Sequence, residues 1–354
     1  MRIRDLPARL FLLGLAVTAA AAAVADDRQH HAATPPFAAA LRAAAGMPRL
    51  HSLLISHNGE LVVEQYFNGV DRWQRANVKS VSKSVLSALV GIAIEQGHIE
   101  SVDQPIAGYY GDLLAEPKRA ITIGNLLSMQ AGLETTSFYN YGAWVLSRDW
   151  TRFALEQPLQ STPGTDMHYS TGNTHLLSDI LTKATGQTTY EFARRNLAEP
   201  LGFTLAEWPR DPQGIYFGGN DMELTPRQML AFGELYMNRG KYRGRQVVPA
   251  AWVDASLTPR VTSSRDPDRQ YGLGWWVKDM AGLETAYAWG YGGQFVLLVP
   301  DLDLVVVTTS DSRPDRGRRP HTRDLYDLLE YDIVAPALSA YGGNGSATAA
   351  PAAQ

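Results

Sequence analysis

Ser80-Val81-Ser82-Lys83 opens a segment that reads as one helix to Gln96, with Val81, Val85, Leu89 and Ile92 recurring on one side. Residues three apart on a helix share a face, with Cβ atoms about 5–6 Å apart, so the Lys83 amine can reach the Ser80 hydroxyl. A helix N-terminus carries about half a positive charge, which disfavours the ammonium form of Lys83. Burial pushes the same way. A lysine so depressed can accept a serine proton at neutral pH, which an ordinary lysine of pKa about 10.4 does rarely. The same terminus leaves the Ser80 N–H free to bind an oxyanion. Ser-x-x-Lys arises about once by chance in a chain of this length. The plainer alternative is Ser80 as a helix cap and Lys83 as a solvated charge, so the tetrapeptide needs supporting signals.

Two later stretches supply them. His168-Tyr169-Ser170-Thr171-Gly172-Asn173 follows Thr162-Pro163-Gly164 and gathers polar residues just before a helix. A tyrosine on such a turn can point its phenol into a cleft and pass a proton between nucleophile and leaving group. Ala288-Trp289-Gly290-Tyr291-Gly292-Gly293-Gln294 lies at the end of a late strand. Glycine there allows close backbone approach by a ligand, and a free N–H on such an edge can be a second oxyanion donor. The plain alternatives are a packed tyrosine and a Gly-rich turn.

Working outward, Leu53–Ser56 and Leu61–Phe67 flank His57-Asn58-Gly59-Glu60, and Asn-Gly between two β-prone runs is a strong hairpin signal. Four more strand-like runs come late, at Tyr271–Lys278, Thr285–Trp289, Gln294–Val299 and Leu304–Thr309, before a helix over His321–Leu338. Between them the chain is mostly helical, with further helices at Thr174–Ala184, Thr189–Asn196 and Thr225–Asn238. The order strands, helices, strands, helix implies an α+β fold. The first hairpin joins the late strands in one antiparallel sheet, the terminal helix covers a face, the helical block forms a second lobe, and the site lies in the cleft between.

The partition is then a sheet lobe at about 50–78 and 265–339, a helical lobe at about 79–264 within a domain of 49–339, a lead-in at 26–48 with a helical piece from Phe37 to Ala45, and a disordered tail at 340–354. Residues 1–25 read as a signal peptide: Arg2, Arg4 and Arg9 precede an apolar stretch ending in Ala23-Val24-Ala25. That stretch is shorter than the ~20 residues needed to span a bilayer. Cleavage after Ala25, export to periplasm or medium, and no stable membrane insertion are therefore expected.

The chain has 354 residues and a net charge of −4, so no basic excess favours nucleic acid. It has no cysteine, which excludes disulfides, thiolate metal sites and cysteine nucleophiles. Gly-x-Ser-x-Gly and His-Glu-x-x-His are absent, and His168 and His175 show no ligand spacing. The Gly290–Gly293 run precedes no helix and is no dinucleotide loop. No metal and no organic cofactor are expected.

Taken together, Ser-x-x-Lys, Tyr-x-Thr and the strand-edge glycines resemble the serine β-lactamase and penicillin-binding-protein superfamily, in its class C β-lactamase-like branch. Further matches are Leu126–Leu133, Pro163-Gly164 through Tyr169 to Leu177, Ala184-Thr185-Gly186, Pro200-Leu201-Gly202 and Leu224-Thr225-Pro226-Arg227. The resemblance covers about residues 50–335 and is nearest to 6-aminohexanoate-dimer hydrolases and related esterases. It implies a β-lactamase-like fold, Ser80 as acylated nucleophile, Lys83 as its base, Tyr169 as the proton-transferring phenol, and the N–H groups of Ser80 and Tyr291 as an oxyanion hole. It leaves open whether Lys83 or Tyr169 deprotonates the serine.

Where penicillin-recognising relatives carry Lys-Thr-Gly or His-x-Gly, this chain has Ala288-Trp289-Gly290. Loss of one charge-assisted hydrogen bond, worth about 1.5–3 kcal/mol, weakens binding of a penicillin-like anion by one to two orders of magnitude. Thr171 stands where Asn is frequent, and its hydroxyl can still bond. Trp289, Tyr291 and the Phe138-Tyr139-Asn140-Tyr141-Gly142-Ala143-Trp144 loop would make an aromatic acyl or leaving-group pocket, with Gly290 and Tyr139 or Tyr141 touching substrate. The expectation is a serine hydrolase of small, mostly uncharged esters or amides. The alternatives are a β-lactamase or D-alanyl-D-alanine carboxypeptidase, and an inactive penicillin-binding-like sensor.

Overall fold

Asn58 and Gly59 both sit at positive φ, 52° and 75°, and close the hairpin of β1 (Leu50–His57) and β2 (Glu60–Tyr66). This is the left-handed pair that a two-residue turn demands. The computed structural model describes residues 36–342. The signal peptide and cleavage site read at 1–25, the start of the lead-in and the tail from 343 lie outside the described residues.

The other strands are β3 (Ala76–Asn77), β4 (Glu223–Leu224), β5 (Lys241–Tyr242), β6 (Arg245–Gln246), β7 (Val261–Thr262), β8 (Gln270–Tyr271), β9 (Trp276–Met280), β10 (Leu283–Gly290), β11 (Gln294–Val299) and β12 (Leu304–Ser310). Eight of them form one sheet in the order β2-β1-β12-β11-β10-β9-β8-β7. The first hairpin joins the late strands through antiparallel pairing of β1 with β12, Leu53 opposite Thr308 and Ile55 opposite Val306. This is the arrangement expected from the order of elements.

The sheet is buried on both faces. Phe295, Leu297, Val299, Leu304 and Val306 point into one core, and Val296, Leu298, Val305 and Val307 into the other. Each such side chain contributes about 1.5–3 kcal/mol on burial. The first core is closed by α1 (Ala38–Ala45) and by the C-terminal helical run through α11 (Arg318–Asp327) and α12 (Ala335–Tyr341). Phe37, Ala40 and Ala44 are fully buried there, so the lead-in helix is part of the sheet lobe rather than a leader to it.

The helical segments are α2 (Val81–Glu95), α3 (Ala107–Tyr110), α4 (Ile123–Leu127), α5 (Tyr141–Val145), α6 (Trp150–Glu156), α7 (Thr171–Thr185), α8 (Thr189–Ala193), α9 (Pro226–Met237) and α10 (Ala250–Leu257). Two of them depart from the sequence reading. Helix α9, within the span assigned to the helical lobe, lies on the sheet: a Cβ on Gly233 would come within 2.5 Å of Val305 and 2.9 Å of Val296, so the missing side chain lets helix and sheet touch. Helix α2 is buried from Val81 to Ala93 on every side, not on one. It runs between the sheet and the helical lobe, and a helix with two apolar neighbours needs no polar face. Its serines dock on the sheet edge, Ser84 and Ser87 donating to the Gly274 and Leu273 carbonyls at 2.6 Å each. Those buried carbonyls are available to α2 because the expected Tyr271–Lys278 strand breaks at Gly272–Trp275, with Gly274 at φ +87° against Ser87.

Candidate active site

The nucleophile candidate sits on a pinned elbow. Strand β3 pairs with β4, and Val78 donates its N–H to Met222 at 2.9 Å. Lys79 then adopts φ +53°, held by its N–H on Asn77 Oδ1 at 3.0 Å, and α2 begins two residues later, at Val81. Ser80 is the N-cap residue, yet its side chain makes no capping bond. Its hydroxyl instead accepts from Lys83 Nζ at 3.1 Å.

Lys83 is 1% exposed. Besides Ser80 its amine donates to the Gly219 carbonyl at 2.6 Å and to Thr171 Oγ1 at 3.2 Å. Burial pulls it down to about 7, while the Asp221 carboxylate pulls the other way. A lysine in this state is divided between amine and ammonium at neutral pH, so it can take up and return a proton. The alternative of a solvated Lys83 is excluded by its burial.

The second stretch meets the first. Ser170 occupies the N-cap position of α7 without a side-chain capping bond, and the helix starts at Thr171, three residues before the helix read from sequence. Three consecutive hydroxyls clamp this turn. Thr135 Oγ1 donates to the Tyr169 carbonyl at 2.5 Å, Thr136 Oγ1 accepts from Gly172 N at 2.8 Å, and Ser137 Oγ accepts from Thr171 N at 2.7 Å. Ser137 and Thr171 hydroxyls also bond at 2.8 Å, so Lys83, Thr171 and Ser137 form a chain. The Tyr169 ring has Lys83 Nζ 5.2 Å from its centroid and stacks on Trp276 at 5.6 Å and 22°. Burial pushes its phenol above the usual tyrosine range, against the pull of a contact with the Ser80 side chain.

The third stretch closes the site. Gly290 ends β10 so near the elbow that a Cβ there would lie 2.2 Å from the Val78 carbonyl. Gly292 and Gly293 turn the chain at φ +89° and +110°. The Tyr291 ring, expected in the aromatic pocket, instead lies under the Arg318 guanidinium, 4.2 Å from it, and does not line the cavity, which leaves the Tyr291 main chain as its part in the turn. Behind the turn, buried Gln294 bridges both backbone groups of Ser310, donating at 2.8 Å and accepting at 3.1 Å.

A cavity of about 320 Å³ adjoins Tyr169, walled by Trp276, Trp289, Met167 and Phe138, with Arg265 at its rim stacked on Phe138 at 3.6 Å. Trp289 therefore lines a pocket beside the site. Of the loop tyrosines, Tyr139 is 76% exposed, and Tyr141 accepts from Asn220 at 3.1 Å, next to the Gly219 carbonyl that holds Lys83. The residue of this loop that reaches the cavity is Phe138.

Sequence reasoning missed Gly219, Asp221, Ser137 and Trp276. Gly219 acts through a backbone carbonyl, which carries no side-chain signal. Among the described residues no group of three metal-ligating side chains converges. His175 instead bonds Asp211 at 3.0 Å, and His168 bonds Ser161 at 2.9 Å.

The Beta-lactamase family model matches residues 37–330. The chain belongs to the β-lactamase family. The 6-aminohexanoate-dimer hydrolase of Paenarthrobacter ureafaciens is 25% identical over 308 residues, 78% of this chain and 75% of that protein. A penicillin-binding-protein homologue from Caulobacter crescentus superposes with TM-score 0.66 at 18% identity, over 85% of this chain and 98% of that one. A D-stereospecific amidohydrolase from Streptomyces superposes with TM-score 0.64 at 16% identity, over 84% and 99%. The β-lactamase-like fold and the superfamily read from the three motifs are thus established, and with them the hydrolase class.

Proposed function

We propose that this chain is an exported serine hydrolase that cleaves small, mostly uncharged esters or amides through an acyl-enzyme on Ser80. The observation that carries the proposal is the buried Lys83 amine 3.1 Å from the Ser80 hydroxyl, pulled down to about 7. The amine accepts the serine proton as Ser80 attacks the carbonyl. The tetrahedral oxyanion rests on the N–H groups of Ser80 and Tyr291. Tyr169, between Ser80 and the cavity, passes the proton to the leaving group. Water then enters, the same groups run in reverse, and the acid leaves. Between the two candidate bases, the directions of shift favour Lys83: its amine form is accessible at neutral pH, whereas the Tyr169 phenol is held neutral. The aromatic walls of the cavity and the absence of a cation at Ala288-Trp289-Gly290 support an uncharged substrate. The basic n-region and Ala23-Val24-Ala25 support export.

The test is turnover of a short-chain p-nitrophenyl ester by purified protein, with intact-mass spectrometry. Release of p-nitrophenol with an acyl adduct on Ser80, both absent from Ser80→Ala, is expected. The Ser80→Ala loss should be on the order of 10⁴-fold or more, as for nucleophiles of other serine hydrolases. Release that survives Ser80→Ala would sink the mechanism, and fast acylation by a penicillin would redirect the substrate class.

A further inference from the structure

The loop that accepts the Lys83 proton donor does a second thing. From Gly219, whose carbonyl takes Lys83 Nζ at 2.6 Å, the chain runs two residues to Asp221, which sits at φ +64°. The Asp221 carboxylate oxygen Oδ1 accepts from Asn77 Nδ2 at 2.8 Å and from Lys79 Nζ at 3.1 Å. Lys79 immediately precedes Ser80. The ion pair therefore ties the loop holding Lys83 to the elbow holding Ser80.

Its stability value does not explain it. Both side chains are about a quarter exposed, 24% for Lys79 and 23% for Asp221, and such pairs contribute about 0–1 kcal/mol. Its electrostatic position does. The groups around the Lys83 amine are Ser80 on its own helix, Thr171 on α7, Tyr169 before α7, and the Gly219 carbonyl. All are uncharged at neutral pH. Asp221 pulls Lys83 toward its charged form, and Lys79 stands against that carboxylate at 3.1 Å with the opposite charge.

We propose that Asp221 and Lys79 are positioning residues that together set how readily Lys83 releases its proton: Asp221 holds charge on Lys83, and Lys79 weakens that hold by pairing with Asp221. An anion near a buried amine favours its ammonium form, and a cation beside that anion reduces the pair to a dipole with a weaker field. Removing the carboxylate then makes Lys83 a base at lower pH, and removing Lys79 makes it one only at higher pH. The proposal rests on Lys83 acting as the base.

The experiment is the pH dependence of kcat/KM for p-nitrophenyl acetate in the wild-type chain, Asp221→Asn, Lys79→Met and the double variant. Asn keeps the hydrogen-bonding shape of Asp221, and Met keeps the stem of Lys79. The acid limb is expected to move down by about half to one pH unit in Asp221→Asn and up by a similar amount in Lys79→Met, with the double variant back near the wild type. Limbs that stay put, or move in the same direction in both single variants, overturn the proposal. Lys83→Met serves as control: unchanged turnover there would refute Lys83 as base, a different failure from unmoved limbs in an enzyme that needs Lys83. Should a variant lose turnover altogether, ¹³C NMR titration of the Lys83 side chain reads the same shift without catalysis, its signal assigned by its loss in Lys83→Met. Opposite shifts sustain the proposal, and any other pattern ends it.

Discussion

Lys83 is 1% exposed and bonded to three groups from three segments, whereas Tyr139, on the loop at the other end of the cleft, is 76% exposed. The first end is assembled from a helix start, a helix N-cap turn and a strand end, each backed by side chains bonded to main-chain groups. The second is built from loops, Phe138 on one and Arg265 on the other, joined by a single ring–guanidinium contact. Groups that must keep a reacting geometry within a fraction of an ångström need rigid elements behind them. Groups that only shape a pocket can sit on loops and vary with substrate. Substitutions at the buried end should therefore act on kcat, and those at the rim on KM.

The largest effect within this contrast is expected at Lys83. Lys83→Met should lower kcat/KM for a p-nitrophenyl ester by about 10²–10⁴-fold, the range of a general base. It should also change the pH dependence of stability. Lys83 titrates at about 7 in the folded chain against 10.5 unfolded, so between these values the unfolded chain binds the extra proton. Wild-type stability should accordingly rise with pH over that window relative to Lys83→Met, because the cost of burying the lysine is greatest below pH 7 and fades as pH approaches 10.5. Denaturant midpoints of both proteins at pH 6 and pH 9 check the sign, and a gap between them that does not change with pH would contradict it.

Gly290→Ala comes next. A Cβ 2.2 Å from the Val78 carbonyl must push either the β10 end or the elbow before Ser80. Displacing one oxyanion donor typically costs about 10²–10³ in kcat, and a loss near the lower end is expected with KM little changed. A rise in KM at constant kcat would break the assignment of this edge to the rigid end. Smaller again is Trp276→Leu, which removes the ring stacked on Tyr169. An aromatic pair is worth about 0.5–1.5 kcal/mol, so kcat should fall about 2–10-fold. The smallest effects belong to the rim: Phe138→Ala should raise KM about 2–5-fold for an aromatic ester, whereas exposed Tyr139→Ala should change neither constant by more than about twofold. Steady-state kinetics with aromatic and acetyl esters would reverse the contrast if Tyr139 proved the more sensitive.

The legible parts of the fold are those with a local cause. Asn58-Gly59 closes its hairpin because left-handed backbone suits those two residues. The late strands read clearly because runs such as Gln294–Val299 are apolar on both faces. The orientation of α2 was less legible. Val81, Val85, Leu89 and Ile92 marked one buried side, but the burial of Ser84 and Ser87 depends on the break at Gly272–Trp275, which turns two carbonyls toward them. In the candidate site, the approach of Lys83 to Ser80 was legible from their spacing, and Tyr169 was singled out by its place before a helix. Gly219 was not, because its part is played by a carbonyl that every residue has.

By itself the sequence determined which groups are candidates for the chemistry: a serine and a lysine one helical turn apart, a tyrosine at a helix start, a glycine strand end without the usual cation, and no cysteine at all. These follow from residue type and short-range spacing, which the chain carries locally. Only the tertiary structure decided the state of those groups. The Lys83 amine is pulled down to about 7 because segments more than eighty residues away in the chain wrap it out of water, the Gly219 carbonyl and the Thr171 hydroxyl among them. Desolvation depends on everything packed around a charge, and no local pattern encodes that.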